Sequence, residues 1–176
     1  EQGLYKTTWF NFLLPPELRC YFYTKTNSDR LNKDDLFSLT EFALICFEEL
    51  DGMRPAELNQ LKAMVTMPYV NERAAYGRNK ERHPHIASFC GTGNNVQFLT
   101  DPTGNRRWLP FEVSQIRDPH LHAIPYELVY SQAYALWKSG FCHWFSQEEI
   151  RKLNMHNSRF EVPNLEEDLI RTHFRK

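Results

Sequence analysis

Short apolar runs alternating with amphipathic stretches predict an α/β fold, a mainly parallel sheet flanked by helices. Three segments carry that prediction. Residues 42–47 (FALICF) form an unbroken apolar run leading into acids, the pattern of a central parallel strand covered on both faces. Residues 55–66 place Leu58, Leu61 and Val65 at helical spacing, with Pro55 near the first turn and Pro68 past the end. Residues 126–138 are amphipathic with helical period and are closed by Gly140.

The other elements follow in order. Residues 7–14 set Trp9, Phe10, Leu13 and Leu14 on one helical face and stop at Pro15-Pro16. The aromatic run 20–23 reads as a buried strand, and 33–40 as a short helix after a polar loop. Residues 69–85 are polar and basic, a hairpin or a long loop. Residues 86–90 form another short apolar strand ending at Gly91, and 108–113 read as a further strand. Ser146 caps a helix running to about His156, and a last helical segment, 165–174, follows the break at Pro163-Asn164. The expected division is a core over 1–123 that lacks its first strand, helices over 124–160 packing on it, and the start of a following segment over 161–176.

Length and composition narrow the classes. At 176 residues, 41% apolar and 24% charged, the chain suits one globular domain with a full core and a small appendage. A formal charge of −1 gives no global field that would draw in nucleic acid or anionic lipid, so such binding needs a local patch. No apolar run is long enough to span a bilayer, and the expected location is the cytoplasm. Cys20, Cys46, Cys90 and Cys142 lack metal-ligand spacing and read as reduced thiols. The pairs His83/His85 and His120/His122 have no further ligand cluster and read as loop histidines, not as a zinc site.

Chemistry is suggested first by Gly3-Leu4-Tyr5-Lys6-Thr7-Thr8, which opens onto a helix. In the phosphate-loop pattern G-x-x-x-x-G-K-[ST], backbone N–H groups hold phosphate oxygens, the Lys reaches the β/γ-phosphates and the hydroxyl ligates Mg²⁺. Lys6 and Thr7 fill the last two places, Tyr5 stands where the second Gly belongs, and the chain is expected to begin inside this loop. The apolar run 42–47 then delivers Glu48 and Glu49, acids that can hold Mg²⁺ through its water shell and polarise an attacking water. The next strand ends in Gly91-Thr92-Gly93-Asn94-Asn95, where Asn94 could touch both γ-phosphate and water. The segment Thr100-Asp101-Pro102-Thr103-Gly104-Asn105-Arg106-Arg107 is a tight excursion ending in two guanidinium groups, able to neutralise charge on a transferring phosphate.

The order of these motifs, and above all GTGNNVQFLTDPTGNRRWLP over 91–110, resembles the virulence-associated E family. Glu49-Leu50-Asp51-Gly52-Met53-Arg54, Leu61-Lys62-Ala63 and residues 72–78 (ERAAYGR) share the resemblance, which covers roughly 3–110 strongly and the C-terminal helices loosely. The resemblance implies an AAA-like P-loop ATPase related to the superfamily-three helicases of prophages and mobile elements, often accompanied by a primase module. It implies ATP and Mg²⁺ as ligands, DNA as partner and a homo-oligomeric ring. Carried across, Gly3, Tyr5, Lys6, Thr7 and Thr8 form the phosphate loop, and Thr7 and Glu48 hold Mg²⁺ partly through water. Glu49 is the acid of the second motif and Asn94 the sensor; Arg106 or Arg107 reaches a neighbouring subunit's site. The division of roles between Glu48 and Glu49 stays open, since many relatives lack an acid at Glu48. Arg73, Arg78, Lys80 and Arg82 match a DNA-gripping projection, although Arg73 or Arg78 could instead line an adjacent subunit's ATP site. Two alternatives accompany the ATPase reading: a P-loop assembly or regulatory module without turnover, and a DNA-binding module with vestigial ATPase motifs.

Overall fold

The computed structural model of the protein describes residues 5–26, 31–73, 78–100, 105–163 and 173. Gly3, residues 101–104 and the expected helix 165–174, apart from His173, lie outside the described residues. The fold is mixed α/β. Its main sheet has three parallel strands in the order β1-β2-β5: β1 is Phe22–Lys25, β2 is Leu44–Phe47 and β5 is Ser88–Gly91. All four residues of β2 are buried, as expected of a middle strand with both faces covered. Helix α1 (Lys6–Asn11) precedes β1, and α2 (Lys33–Glu41) connects β1 to β2. Between β2 and β5 lie α3 (Pro55–Val65) and an antiparallel hairpin of β3 (Tyr69–Glu72) and β4 (Glu81–Pro84). The hairpin settles the alternative left open for residues 69–85.

Local chemistry explains the helix starts. The Asn32 side chain accepts the backbone N–H groups of Asp34 and Asp35, while the Asp35 carboxylate accepts the Asn32 N–H, a reciprocal cap for α2. Pro55 supplies the preset first turn of α3, and Glu57 accepts the Arg54 N–H. Leu39, Ile45, Leu61 and Val70 are the largest fully buried apolar side chains of this core.

Three expectations need correction. The expected strand at 20–23 is displaced, because Pro16–Tyr21 forms a 3-10 helix and β1 starts only at Phe22. It runs on to Lys25, whose ammonium is buried against the Asp35 carboxylate at 2.7 Å, so a charged residue ends a core strand. The strand expected at 86–90 starts at Ser88, because the N–H groups of Ile86 and Ala87 are both taken by the Leu39 carbonyl. The strand expected at 108–113 is absent; a 3-10 helix, Asn105–Arg107, precedes a segment without regular structure.

The chain divides into two compact units. The first comprises 1–94 and 113–144. It includes α4 (Tyr126–Lys138), tied to the end of α1 by tyrosine hydroxyls: Tyr126 Oη donates to the Phe12 carbonyl at 2.6 Å and Tyr130 Oη to the Leu13 carbonyl at 3.0 Å. These satisfy carbonyls that a helix end leaves without partners. The second unit comprises 95–112 and 145–176. It holds α5 (Gln147–Asn157), capped by Ser146 and Glu149, and a 3-10 turn, Ser158–Phe160. The Phe160 carbonyl accepts the N–H groups of Phe98 and Leu99, and the Leu99 carbonyl accepts that of Val162. Among the described residues no helix is long and apolar enough to cross a membrane.

Candidate functional site at the carboxyl edge of the parallel sheet

Because β1, β2 and β5 run parallel, the loops that leave their carboxyl ends share one edge of the sheet. Backbone bonds stitch those loops together. The Glu48 N–H donates to the Lys25 carbonyl at 2.9 Å, the Thr92 N–H to Phe47 at 2.9 Å, and the Leu50 N–H to Thr92 at 2.9 Å. Glu49 adopts a left-handed conformation (φ 54°, ψ 44°), turning the chain into the 3-10 helix Leu50–Gly52. That turn carries Asp51 back toward the end of β5, where its Oδ1 accepts the Asn94 N–H at 3.2 Å. Gly93 fits there because it has no Cβ: an added one would stand 2.9 Å from Asp51 Oδ1.

The start of α1 reaches the same edge. Lys6 Nζ donates to the Gly93 carbonyl and, at 3.1 Å, to Asn94 Oδ1. Thr7 Oγ1 donates to Glu48 Oε1 at 2.8 Å. Tyr5, immediately before the helix, is left-handed with φ 52° and ψ 23°. This is the place where the phosphate-loop pattern has a glycine, and a glycine adopts such a conformation freely. The backbone therefore takes a course suited to glycine although a tyrosine stands there, at a cost of about 1–2 kcal/mol.

Lys6, Thr7, Glu48 and Asn94 are thus brought together. Glu49 sits exposed at the head of the 3-10 turn, and Thr8 lies within α1, its carbonyl accepting the Phe12 N–H. Arg106 and Arg107 are exposed on the 3-10 helix of the second unit. Arg73, Arg78, Lys80 and Arg82 are exposed on or beside the β3–β4 hairpin, with the Arg82 guanidinium 3.6 Å from the centre of the Tyr69 ring. Asp51 and Gly93 were not among the candidates; the signals that could have flagged them are the Leu-Asp-Gly turn after the acids and the Gly-Thr-Gly after β5.

The donor set defines what the edge can bind. The Lys6 ammonium has three protons, and its two protein acceptors are a neutral carbonyl and a neutral amide, which an anionic oxygen would displace favourably. Thr7 and Glu48 offer one hydroxyl and one carboxylate, hard oxygens of the kind magnesium takes. Among the described residues no group of three or more His, Cys, Asp or Glu side chains could hold a metal on its own. Beneath the site, Cys90 pairs in register with Cys46, and its thiol is pushed up, first by hydrogen bonding with Cys46 and then by burial. It is a protonated packing residue, not a nucleophile.

The class so defined is a parallel α/β domain in which a Lys-Thr helix start meets strand-end acids and a strand-end amide. The chain belongs to the virulence-associated protein E-like domain family, whose model matches residues 1–162. No curated protein matches the chain.

Proposed function

We propose that the domain is a P-loop ATPase of the AAA-like kind, binding ATP at the carboxyl edge of β1-β2-β5 and hydrolysing it to move or remodel DNA in the replication of a mobile element. The observation that supports this most is the convergence of Lys6 on Asn94 and of Thr7 on Glu48 at one sheet edge. In this reading Lys6 leaves its two neutral acceptors for the β/γ-phosphate oxygens of ATP. Thr7 and Glu48 hold Mg²⁺, which when bound neutralises charge on the phosphates. Glu49 draws a proton from the attacking water and Asn94 orients that water. The water oxygen bonds to the γ-phosphorus as the bond to the β-phosphate oxygen breaks, giving ADP and phosphate. Arg106 or Arg107 of a neighbouring subunit offsets the charge that develops during transfer.

DNA is the proposed partner of the hairpin. Arg73, Arg78, Lys80 and Arg82 outnumber the local acids Glu72 and Glu81, and all four cations are exposed. The test of the ATPase reading is magnesium-dependent phosphate release by the intact protein. Lys6→Ala should lower kcat by about 10²–10³-fold, the range for removing one preorganised donor to a developing charge. A Lys6→Ala protein turning over at the wild-type rate would overturn it. For the DNA arm, Arg82→Ala should weaken binding uniformly across sequences and reduce the salt slope by about one.

A further inference from the structure

A buried asparagine at the end of α5 grips both sides of the arginine turn, and both hydrogen bonds it donates lie within the second unit. Asn157 is fully buried, and a buried side-chain amide is costly unless its protons are used. They are used on two carbonyls. Asn157 Nδ2 donates to the Asn105 carbonyl at 2.7 Å and to the Trp108 carbonyl at 3.1 Å, the residues on either side of Arg106-Arg107. The turn is closed from within as well, because the Trp108 N–H donates to the Asn105 carbonyl at 3.0 Å. Asn105, itself buried, donates through Nδ2 to Glu161 Oε1 at 2.7 Å. A two-residue segment is thus pinned at both ends from below while its two guanidinium groups stay exposed.

We propose that Asn157, assisted by Glu161, is a positioning residue for Arg106 and Arg107, setting the backbone from which one of them meets the phosphate of a nucleotide held by a neighbouring copy. The proposal rests on the ATPase reading for what the arginine meets; the clamp itself rests on the hydrogen bonds above. A pinned backbone reduces the ordering that a long flexible cation must undergo on each engagement, so the clamp acts on turnover and not on ATP binding by the chain's own Lys6-Thr7 edge. The amide is required at 157 in one orientation, because only its Nδ2 protons can reach the Asn105 and Trp108 carbonyls together. An aspartate there has nearly the same shape, offers no proton when ionised, and sets a carboxylate oxygen against the two carbonyls.

The experiment uses the full chain with ATP and magnesium and compares Asn157→Asp, Glu161→Ala, the pair Arg106→Ala/Arg107→Ala, and each clamp variant in the arginine-free background. The expected result is a fall in kcat of tenfold or more for Asn157→Asp and a smaller fall for Glu161→Ala, with the KM for ATP within about twofold. Neither should have a further effect once the arginines are gone, since interacting positions are non-additive. Amide hydrogen exchange at Trp108 should accelerate in both clamp variants. Equal losses with and without the arginines would overturn the positioning role, and unchanged Trp108 exchange would overturn the clamp. Where Asn157→Asp does not fold, Glu161→Ala carries the same comparison from a less buried position. Removal of both arginines without effect on hydrolysis would overturn their part in the ATPase reading and with it the role assigned to Asn157, while exchange at Trp108 still decides the clamp.

Discussion

Two glycines two positions apart, Gly91 and Gly93, should respond in different ways to a single added methyl group. At Gly91, the last residue of β5, a Cβ would overlap Leu50 Cδ1, lie 2.9 Å from Leu50 Cγ and lie 3.1 Å from the Phe47 carbonyl oxygen. Neither neighbour yields easily: Leu50 is buried, and the Phe47 carbonyl is fixed by the Thr92 N–H it accepts. Overpacking of this kind costs about 1–3 kcal/mol. For a chain of this size that lowers Tm by about 2–12 °C. At Gly93 the nearest atom to an added Cβ is Asp51 Oδ1 at 2.9 Å, the end of a side chain that can rotate. Stability should therefore fall by no more than about 1 kcal/mol, the worth of one hydrogen bond. The rotation takes away the acceptor of the Asn94 N–H and shifts the amide and carbonyl that hold Lys6, so turnover should fall by about ten- to a hundredfold. Thermal melting followed by circular dichroism, with phosphate release on the same samples, separates the two effects. A Gly91→Ala protein melting within about 1 °C of wild type would refute the packing argument. A Gly93→Ala protein with normal turnover would refute the link from Asp51 to the site.

Three further outcomes are expected. Asp35→Asn removes the carboxylate that faces the buried Lys25 ammonium at 2.7 Å and should cost about 3–5 kcal/mol in urea denaturation, whereas Lys25→Met with Asp35→Leu should recover most of that loss; a single-variant cost under about 1 kcal/mol would show the pair to be unimportant. The Glu149 carboxyl is held below its usual range by the Ser146 backbone N–H and then by the Ser146 side chain, so its support of the start of α5 is complete above the unfolded carboxyl pKa and fades as pH falls through the lower folded value. The protection of the Ser146 amide, corrected for its intrinsic exchange rate, should fall as pH drops below the ordinary carboxylate range in wild type and be low at every pH in Glu149→Ala; equal acid profiles would count against the assignment. Tyr5→Gly should leave stability within about 1 kcal/mol, relief of left-handed strain offsetting glycine's entropy, whereas Tyr5→Val should loosen the start of α1; equal melting of the two would contradict the strain argument.

What the sequence reveals and what it hides follow from where each residue's partners lie. β2 was legible because a strand buried on both faces needs an unbroken apolar run, and α2 and α5 because their capping residues sit within three positions of what they cap. β1 was displaced because its last residue is a lysine, a charged residue that the Asp35 carboxylate on α2 meets inside the core. The absent strand at 108–113 has the composition of one, but its backbone is satisfied in another way. The Trp108 carbonyl accepts from Asn157 and the Pro110 carbonyl from His156 Nε2 at 2.9 Å, while Pro110 has no N–H for a ladder. The same reasoning explains the site. That Glu48 and Asn94 share one edge follows from a rule the sequence carries, that loops leaving parallel strands gather there, whereas Lys6 and Thr7 join them from the start of α1, ahead of β1. Asp51 depends instead on a left-handed Glu49 and a 3-10 turn that swings it back to Asn94, a local geometry that no spacing encodes. That geometry also bears on the two acids. The backbone turn at Glu49 leaves Glu48, one residue earlier, facing the Thr7 hydroxyl and sends Glu49 out toward solvent, so adjacent carboxylates acquire different surroundings. If the proposed ATPase reading holds, this turn would suit Glu48 to the metal side and Glu49 to the water side.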